Sequence, residues 1–214
     1  MRRGSIILAG LFANTFLCIC LTHVCSGQEK STSVHNPKSV LIVYHGGEPP
    51  MRPVPSIEDM DVDALTQATS DDVNVKIVAS GIRDRLITMG YRADLLKATD
   101  VQGPKVFLDY DCIIFGTPTW FSDVAYPIKK VFDEHLIRIY QHRPGRMNDK
   151  ILAGFTTAMS EETAQFCLQS LNRALEHFSK QVVEGIIINI RDNKVSIDTS
   201  IQKFCERISQ ALKE

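Results

Sequence analysis

Residues 112–133 read CIIFGTPTWFSDVAYPIKKVFD. Cys112 to Phe115 is an unbroken apolar run, the mark of a strand buried on both faces, and Gly116 closes it. Gly116 lets the backbone approach a neighbouring group, and Pro118 stiffens the turn by fixing φ. From Ala125 to Ile139 the apolar residues take a helical period, with Pro127 tolerated in the first turn. A buried strand followed by a stiff turn and a helix is the repeating unit of a parallel sheet.

The same alternation extends in both directions. Val40 to Tyr44 (VLIVY), Tyr91 to Leu96, Ile151 to Thr156 and Val182 to Ile190 read as further strands. A helix is expected from Asp72, its N-cap, to Gly90, with Val73, Ile77, Ile82, Leu86 and Met89 on its buried face. A second runs from Glu161 to Phe178 with Phe166, Leu171, Leu175 and Phe178 inward, and a last from about Ser200 to Leu212. The expected fold is an α/β three-layer sandwich with a five-stranded parallel sheet covered on both faces. Ligands of such sheets sit beyond the carboxyl ends of the strands, which directs attention to the loops after Tyr44, Gly116 and Thr157. Arg138, His142, Arg143, Arg146 and Lys150 fall at the opposite end and read as a solvated face.

Composition is that of an ordinary globular chain: 214 residues, 44% hydrophobic, 23% charged, with a formal charge of -1. Nucleic acid is not an expected partner, because no clustered basic field arises from this balance. Arg2 and Arg3 before the apolar stretch from Ile6 to Leu21, with Cys25-Ser26-Gly27 behind it, have the grammar of a signal peptide over residues 1–27. Residues 28–39 read as a polar linker and 40–214 as one domain. The expected location is the secretory pathway, or a secreted or periplasmic protein, with no membrane contact after cleavage; an uncleaved leader would anchor the chain. Cys18, Cys20 and Cys25 lie in that leader, leaving Cys112, Cys167 and Cys205 as inert packing, with no C-x-x-C pair for metal or redox exchange. Hydrolase motifs such as G-x-S-x-G and H-E-x-x-H are absent.

Gly116-Thr117-Pro118-Thr119-Trp120-Phe121, with Tyr126-Pro127-Ile128-Lys129-Lys130 behind it, resembles the flavodoxin-like superfamily. It is most similar to the branch of flavodoxins and FMN-dependent NAD(P)H:quinone oxidoreductases, in which a G-[ST]-P-[TV]-[YW] loop runs under the flavin. Residues 151–165 also look like the matching segment of that branch. The resemblance implies an FMN cofactor, a small-molecule electron donor, and two-electron transfer through the flavin to a quinone-like acceptor. The implied cofactor contacts are Gly116, Thr117, Pro118, Thr119, Trp120, Phe121, Thr157, Ser160, His45, Gly46 and Gly47, with no catalytic side chain and no metal. Within this set Trp120 would stack on the ring, and N–H groups near Thr119 to Phe121 would meet its pyrimidine edge. The alternative is that Trp120 and Phe121 only pack the rim. A homo-oligomer is compatible with the sequence.

Two segments depart from that pattern. Residues 45–72 form an insertion with seven acids, Glu48, Glu58, Asp59, Asp61, Asp63, Asp71 and Asp72, against Arg52 and, partly, His45. A phosphate placed there meets a local charge of about -6, and one like-charge contact at about 4 Å costs up to ~4 kcal/mol. Three outcomes remain open. Outward acids would leave Thr66, Thr69, Ser70 or Asn74 and free helix N–H groups to hold phosphate; Gly46 and Gly47 would form an anion nest; or flavin is lost. The last outcome makes the chain an exported non-catalytic binding module, and a flavodoxin-like electron carrier is the closer variant. His45 and Glu48 read as solvated loop residues. Met159-Ser160-Glu161-Glu162 replaces a Gly-rich loop, with Ser160 as a cap for the next helix.

Overall fold

The apolar run at 40–44 becomes strand β1 (Ser39–Tyr44), in which all six residues are buried, as a central parallel strand requires. The computed structural model describes residues 37–46 and 62–214, so the expectations for the leader, most of the linker and the acidic stretch 47–61 lie outside the described residues. After β1 come α1 (Val62–Thr88), β2 (Arg92–Lys97), β3 (Cys112–Trp120), β4 (Asp123–Val124), α2 (Tyr126–Val131) and α3 (Ile137–His142). Then follow β5 (Ile151–Ala158), α4 (Glu161–Glu176), β6 (Gln181–Asn189) and α5 (Lys194–Lys213). A π-helical stretch, Phe132–Leu136, joins α2 to α3, and two 3-10 turns, Ala98–Asp100 and Pro104–Asp109, precede β3.

The sheet runs β2-β1-β3-β5-β6, these five strands all parallel, with β4 added antiparallel to the end of β3. This is the expected five-stranded parallel sheet. Strand order reverses between β1 and β3, which is where a doubly wound sheet opens its crevice. Alternation along the strands divides the core. Val40, Ile42, Cys112, Ile114 and Phe155 pack against α1 and α5, while Leu41, Val43, Ile113, Phe115 and Leu152 pack against α2, α3 and α4. Each fully buried Phe or Ile contributes about 1.5–3 kcal/mol by leaving water.

Several expectations are corrected. Helix α1 starts at Val62, ten residues before the expected Asp72 cap, because no Gly or Pro interrupts residues 56–80. From Val75 onward its buried residues are Val75, Val78, Ala79, Ile82 and Leu86, whereas Ile77 and Met89 are exposed; the side chain of Val73, expected inward, lies outside the described ones. The packed face carries small residues: a Cβ on Gly81 would stand 3.2 Å from Ile201 of α5, so close helix approach set the phase. Phe166 is 57% exposed for a similar reason, since Ala164, Cys167, Leu171 and Leu175 form the stripe of α4 that meets the sheet. Ser39 belongs to β1 and not to a linker: its N–H and hydroxyl donate to Asp111 Oδ2 at 2.8 and 3.0 Å, tying the starts of β1 and β3. Finally, α5 begins at Lys194, capped by Asn193 through the Ser196 N–H.

Candidate functional site

Three strand ends converge where the sheet order reverses. The His45 N–H continues the β1–β3 ladder one residue further, donating to the Gly116 carbonyl at 3.0 Å. Its imidazole is 3% exposed and meets the Trp120 ring edge-on, at 5.4 Å between centroids and 89° between planes. The reading of His45 as a solvated loop residue is therefore corrected: the tryptophan, itself partly exposed, closes over it.

Strand β3 does not stop at Gly116. It runs to Trp120 and turns back through a two-residue hairpin that pairs Thr119 with Val124 and Trp120 with Asp123. Both tip residues are left-handed, Phe121 at φ 49° and Ser122 at φ 63°. Two consecutive left-handed residues match the right-handed twist of a tight hairpin, a position where Asn-Gly is usual. Here a bulky residue takes it, at about 1–2 kcal/mol per residue. Asp123 restrains the hairpin. Its carboxylate accepts the Val124 N–H at 2.7 Å and the Ser170 hydroxyl of α4 at 3.0 Å, and it pairs with Lys129 of α2. Partial burial pushes this carboxyl up, but the bonds from Lys129, Val124 and Ser170 outweigh burial and hold it below the ordinary carboxylate value. Neither the hairpin nor Asp123 was visible in the sequence, since Phe-Ser carries no turn signal.

Alternation along β3 sends its residues to two different environments. Thr117 and Thr119 face the layer of α2 and α4, and their hydroxyls are engaged internally. Thr117 Oγ1 donates to the Pro118 carbonyl at 2.9 Å and accepts the Ala125 N–H at 3.0 Å; Thr119 Oγ1 and Thr156 Oγ1 lie 2.8 Å apart. Gly116 faces the other side, where its missing Cβ leaves room for the Phe155 ring and not for a ligand. Pro118, Trp120 and Thr157 share that side at the strand ends, Pro118 and Thr157 being register partners. Thr157 is 2% exposed, and its hydroxyl has no hydrogen-bond partner among the described residues. A buried hydroxyl left unpaired costs about 1–3 kcal/mol.

Ser160 stands at the N-cap of α4 but makes no side-chain cap bond, so its exposed hydroxyl is available. Gly46 is partly exposed beside His45, and Gly47 lies outside the described residues. Asp71 and Asp72 fall inside α1, about 13 Å along the axis from its first residue, so they do not crowd the helix start. By the same placement, Thr66, Thr69, Ser70 and Asn74 are helix-interior positions whose N–H groups are not the free ones of a helix start.

Two other grooves lie away from these residues. One of about 500 Å³ runs between Ala98–Gln102 and the start of α2; the other, of about 550 Å³, is at the opposite end of the sheet. Among the described residues no group of three His, Cys, Asp or Glu could hold a metal, and no helix is long and apolar enough to cross a membrane. Cys112, Cys167 and Cys205 are free and buried. Burial raises all three thiols, Cys205 to about 12.

No family model matches the chain, and no curated protein matches it. Solved structures do. Oxidised Flavodoxin 1 from Bacillus cereus superposes with a TM-score of 0.58 at 15% identity, over 80% of this chain and 98% of that chain. A flavodoxin from the domain Archaea gives 0.55 at 15% identity over 82% and 99%. A WrbA-like flavodoxin from Agrobacterium tumefaciens gives 0.53 at 17% identity over 82% and 98%. At these identities the likeness is one of fold, and the fold is flavodoxin-like.

Proposed function

We propose that this chain is a flavin-binding redox protein that holds FMN across the carboxyl ends of β1, β3 and β5 and passes two electrons from a small-molecule donor to a quinone-like acceptor. The observation that carries the reading is the Thr157 hydroxyl at the end of β5, buried in register with Pro118 and without a hydrogen-bond partner among the described residues. Such a donor, on the same face of the sheet as the Trp120 ring, suits the polar edge and flat face of an isoalloxazine. Bound there, FMN would supply the redox chemistry.

The chain's own residues would bind and orient it. Trp120, backed by His45, would offer its ring, Thr157 a hydrogen bond, and Ser160 a second hydroxyl from the adjoining loop. Phe121, 93% exposed at the hairpin tip, would give the acceptor an apolar rim. The backbone at Gly46 and the following Gly47 would receive the phosphate, with Asp71 and Asp72 set back inside α1 and Asp63 in its first turn. Export through the leader is part of the same proposal.

One observation favours a second reading. Phe155 fills the space over Gly116, so that glycine is explained without flavin, as in a cofactor-free binding module. Visible absorbance of the purified protein, before and after titration with FMN, separates the two. Saturable uptake supports the redox reading; a colourless protein that takes up no FMN overturns it. Steady NAD(P)H turnover with a soluble quinone then distinguishes a reductase from an electron carrier.

A further inference from the structure

The groove of about 550 Å³ lies at the amino-terminal end of the sheet, far from the strand ends discussed above. Lys105 from the turn before β3, Arg138 from the first turn of α3, and Arg143 and Arg146 from the turn behind it line it together with His142. Asp109 is the one acid on its wall. Among the described residues none of these four fixed cations makes an ion pair; elsewhere Arg83, Arg92 and Arg207 do, while Arg85, Arg173 and Arg191 do not. The chain as a whole carries -1, so the concentration of positive charge is local.

Each of the four is exposed, but exposure alone does not account for their gathering on one groove. The C-terminus of the α2–α3 helix presents about -0.5 charge, which explains one cation at this position and no more. With Asp109 included, the groove keeps an excess of about +2.5. Four cations facing one another across a groove repel, and mutual repulsion is relieved by an anion of charge near -2 to -3. Three of the four are arginines, whose planar forks fit the oxygens of a phosphoryl group. Below them the surface is apolar, formed by Pro104, Leu108 and the 4% exposed Ile139. Lys150 holds one wall in place, its Nζ donating to the Leu108 carbonyl at 2.9 Å and to that of Tyr110.

We infer that this groove is a second binding site, for a small organic polyphosphate: two or more phosphoryl groups among the arginines, and a carbon body on the apolar floor. The site is independent of the redox reading and at the other end of the sheet from it.

The test is isothermal titration calorimetry on the full chain, at constant ionic strength, with orthophosphate, inorganic tripolyphosphate and ATP. Tripolyphosphate is expected to bind saturably and at least 10-fold more tightly than orthophosphate, and ATP more tightly than tripolyphosphate. Arg138→Ala with Arg143→Ala should weaken tripolyphosphate at least 10-fold, and Lys105→Gln or Arg146→Gln alone about 3-fold. Lys203→Ala, an exposed cation on α5, should change nothing. Circular dichroism on each variant shows whether it is folded, and the single substitutions serve if the double variant is not. No heat above the matched-salt control overturns the site, as does binding that Lys203→Ala weakens as much as the arginine changes. Equal affinity for ATP and tripolyphosphate rejects the role of the apolar floor. Binding lost through Trp120→Ala but kept in the arginine variants places the anion at the strand ends instead and overturns this site.

Discussion

The ring of Phe155 lies over the bare Cα of Gly116, its register partner on the neighbouring strand: a Cβ at 116 would stand 2.2 Å from Phe155 Cζ. Phe155 is fully buried, so its ring can yield only by displacing packed neighbours.

Gly116→Ala is therefore expected to overpack the core and lose about 1–3 kcal/mol in urea denaturation. Adding Phe155→Leu should recover part of that loss, because the smaller side chain frees the space. A Gly116→Ala variant as stable as the parent would show that the ring is not confined as described.

Thr157→Val separates stability from binding. Removing an unpaired buried hydroxyl while keeping the shape should stabilise the FMN-free protein by about 1 kcal/mol. The same change should weaken FMN, as should Trp120→Ala, by about 1–2 kcal/mol through lost stacking. If Thr157→Val lowers the melting temperature, the hydroxyl has a partner; if it stabilises the protein and FMN affinity is unchanged, it does not face the flavin.

At the hairpin tip, Phe121→Asn with Ser122→Gly supplies residues suited to φ 49° and φ 63°. A gain of about 1 kcal/mol is expected from relieved backbone strain. Under the proposed function the double variant should also raise KM for a quinone, since it removes the apolar rim. A lower melting temperature would mean that Phe121 packs on the folded protein more than its 93% exposure indicates.

Acid stability follows from Asp111 and Asp123. In Asp111 burial raises the pKa, but the Ser39 N–H and hydroxyl and nearby Lys38 outweigh it, so both carboxyls sit below their ordinary value of about 4. Their stabilisation is thus fully present above about pH 4 and is lost as pH falls through the folded-state values. Asp123→Asn should flatten the pH dependence of urea stability in that acid window and leave the slope above pH 6 unaltered. An acid limb identical in parent and variant would remove Asp123 from this account.

Cys112, Cys167 and Cys205, free thiols raised by burial, should resist DTNB in the native protein at pH 8 and react on unfolding in urea. Mass-spectrometric mapping checks each site. Rapid native labelling at any of the three would contradict its burial.

The layered α/β architecture was legible in the chain because buried parallel strands must be apolar without a break, as at 40–44 and 112–115. Helix phase was less legible. Large apolar residues such as Ile77 and Phe166 suggested inward faces, but Gly81, Ala79 and Ala164 mark the sides where elements come close. The hairpin at Phe121 and Ser122 escaped notice because neither residue favours a left-handed backbone; Asp123, Ser170 and Lys129 impose it from three separate elements.

Sequence alone thus determined the fold class, and it directed attention to the strand ends and to the loop from Gly116 to Phe121. Tertiary structure decided what each residue of that loop does. Thr117 turns toward Ala125 at the start of α2, Thr119 toward Thr156 and Trp120 toward His45, while Gly116 makes room for Phe155. Local pattern specifies that a strand is buried, whereas the neighbour at each rung depends on register with a strand more than thirty residues away.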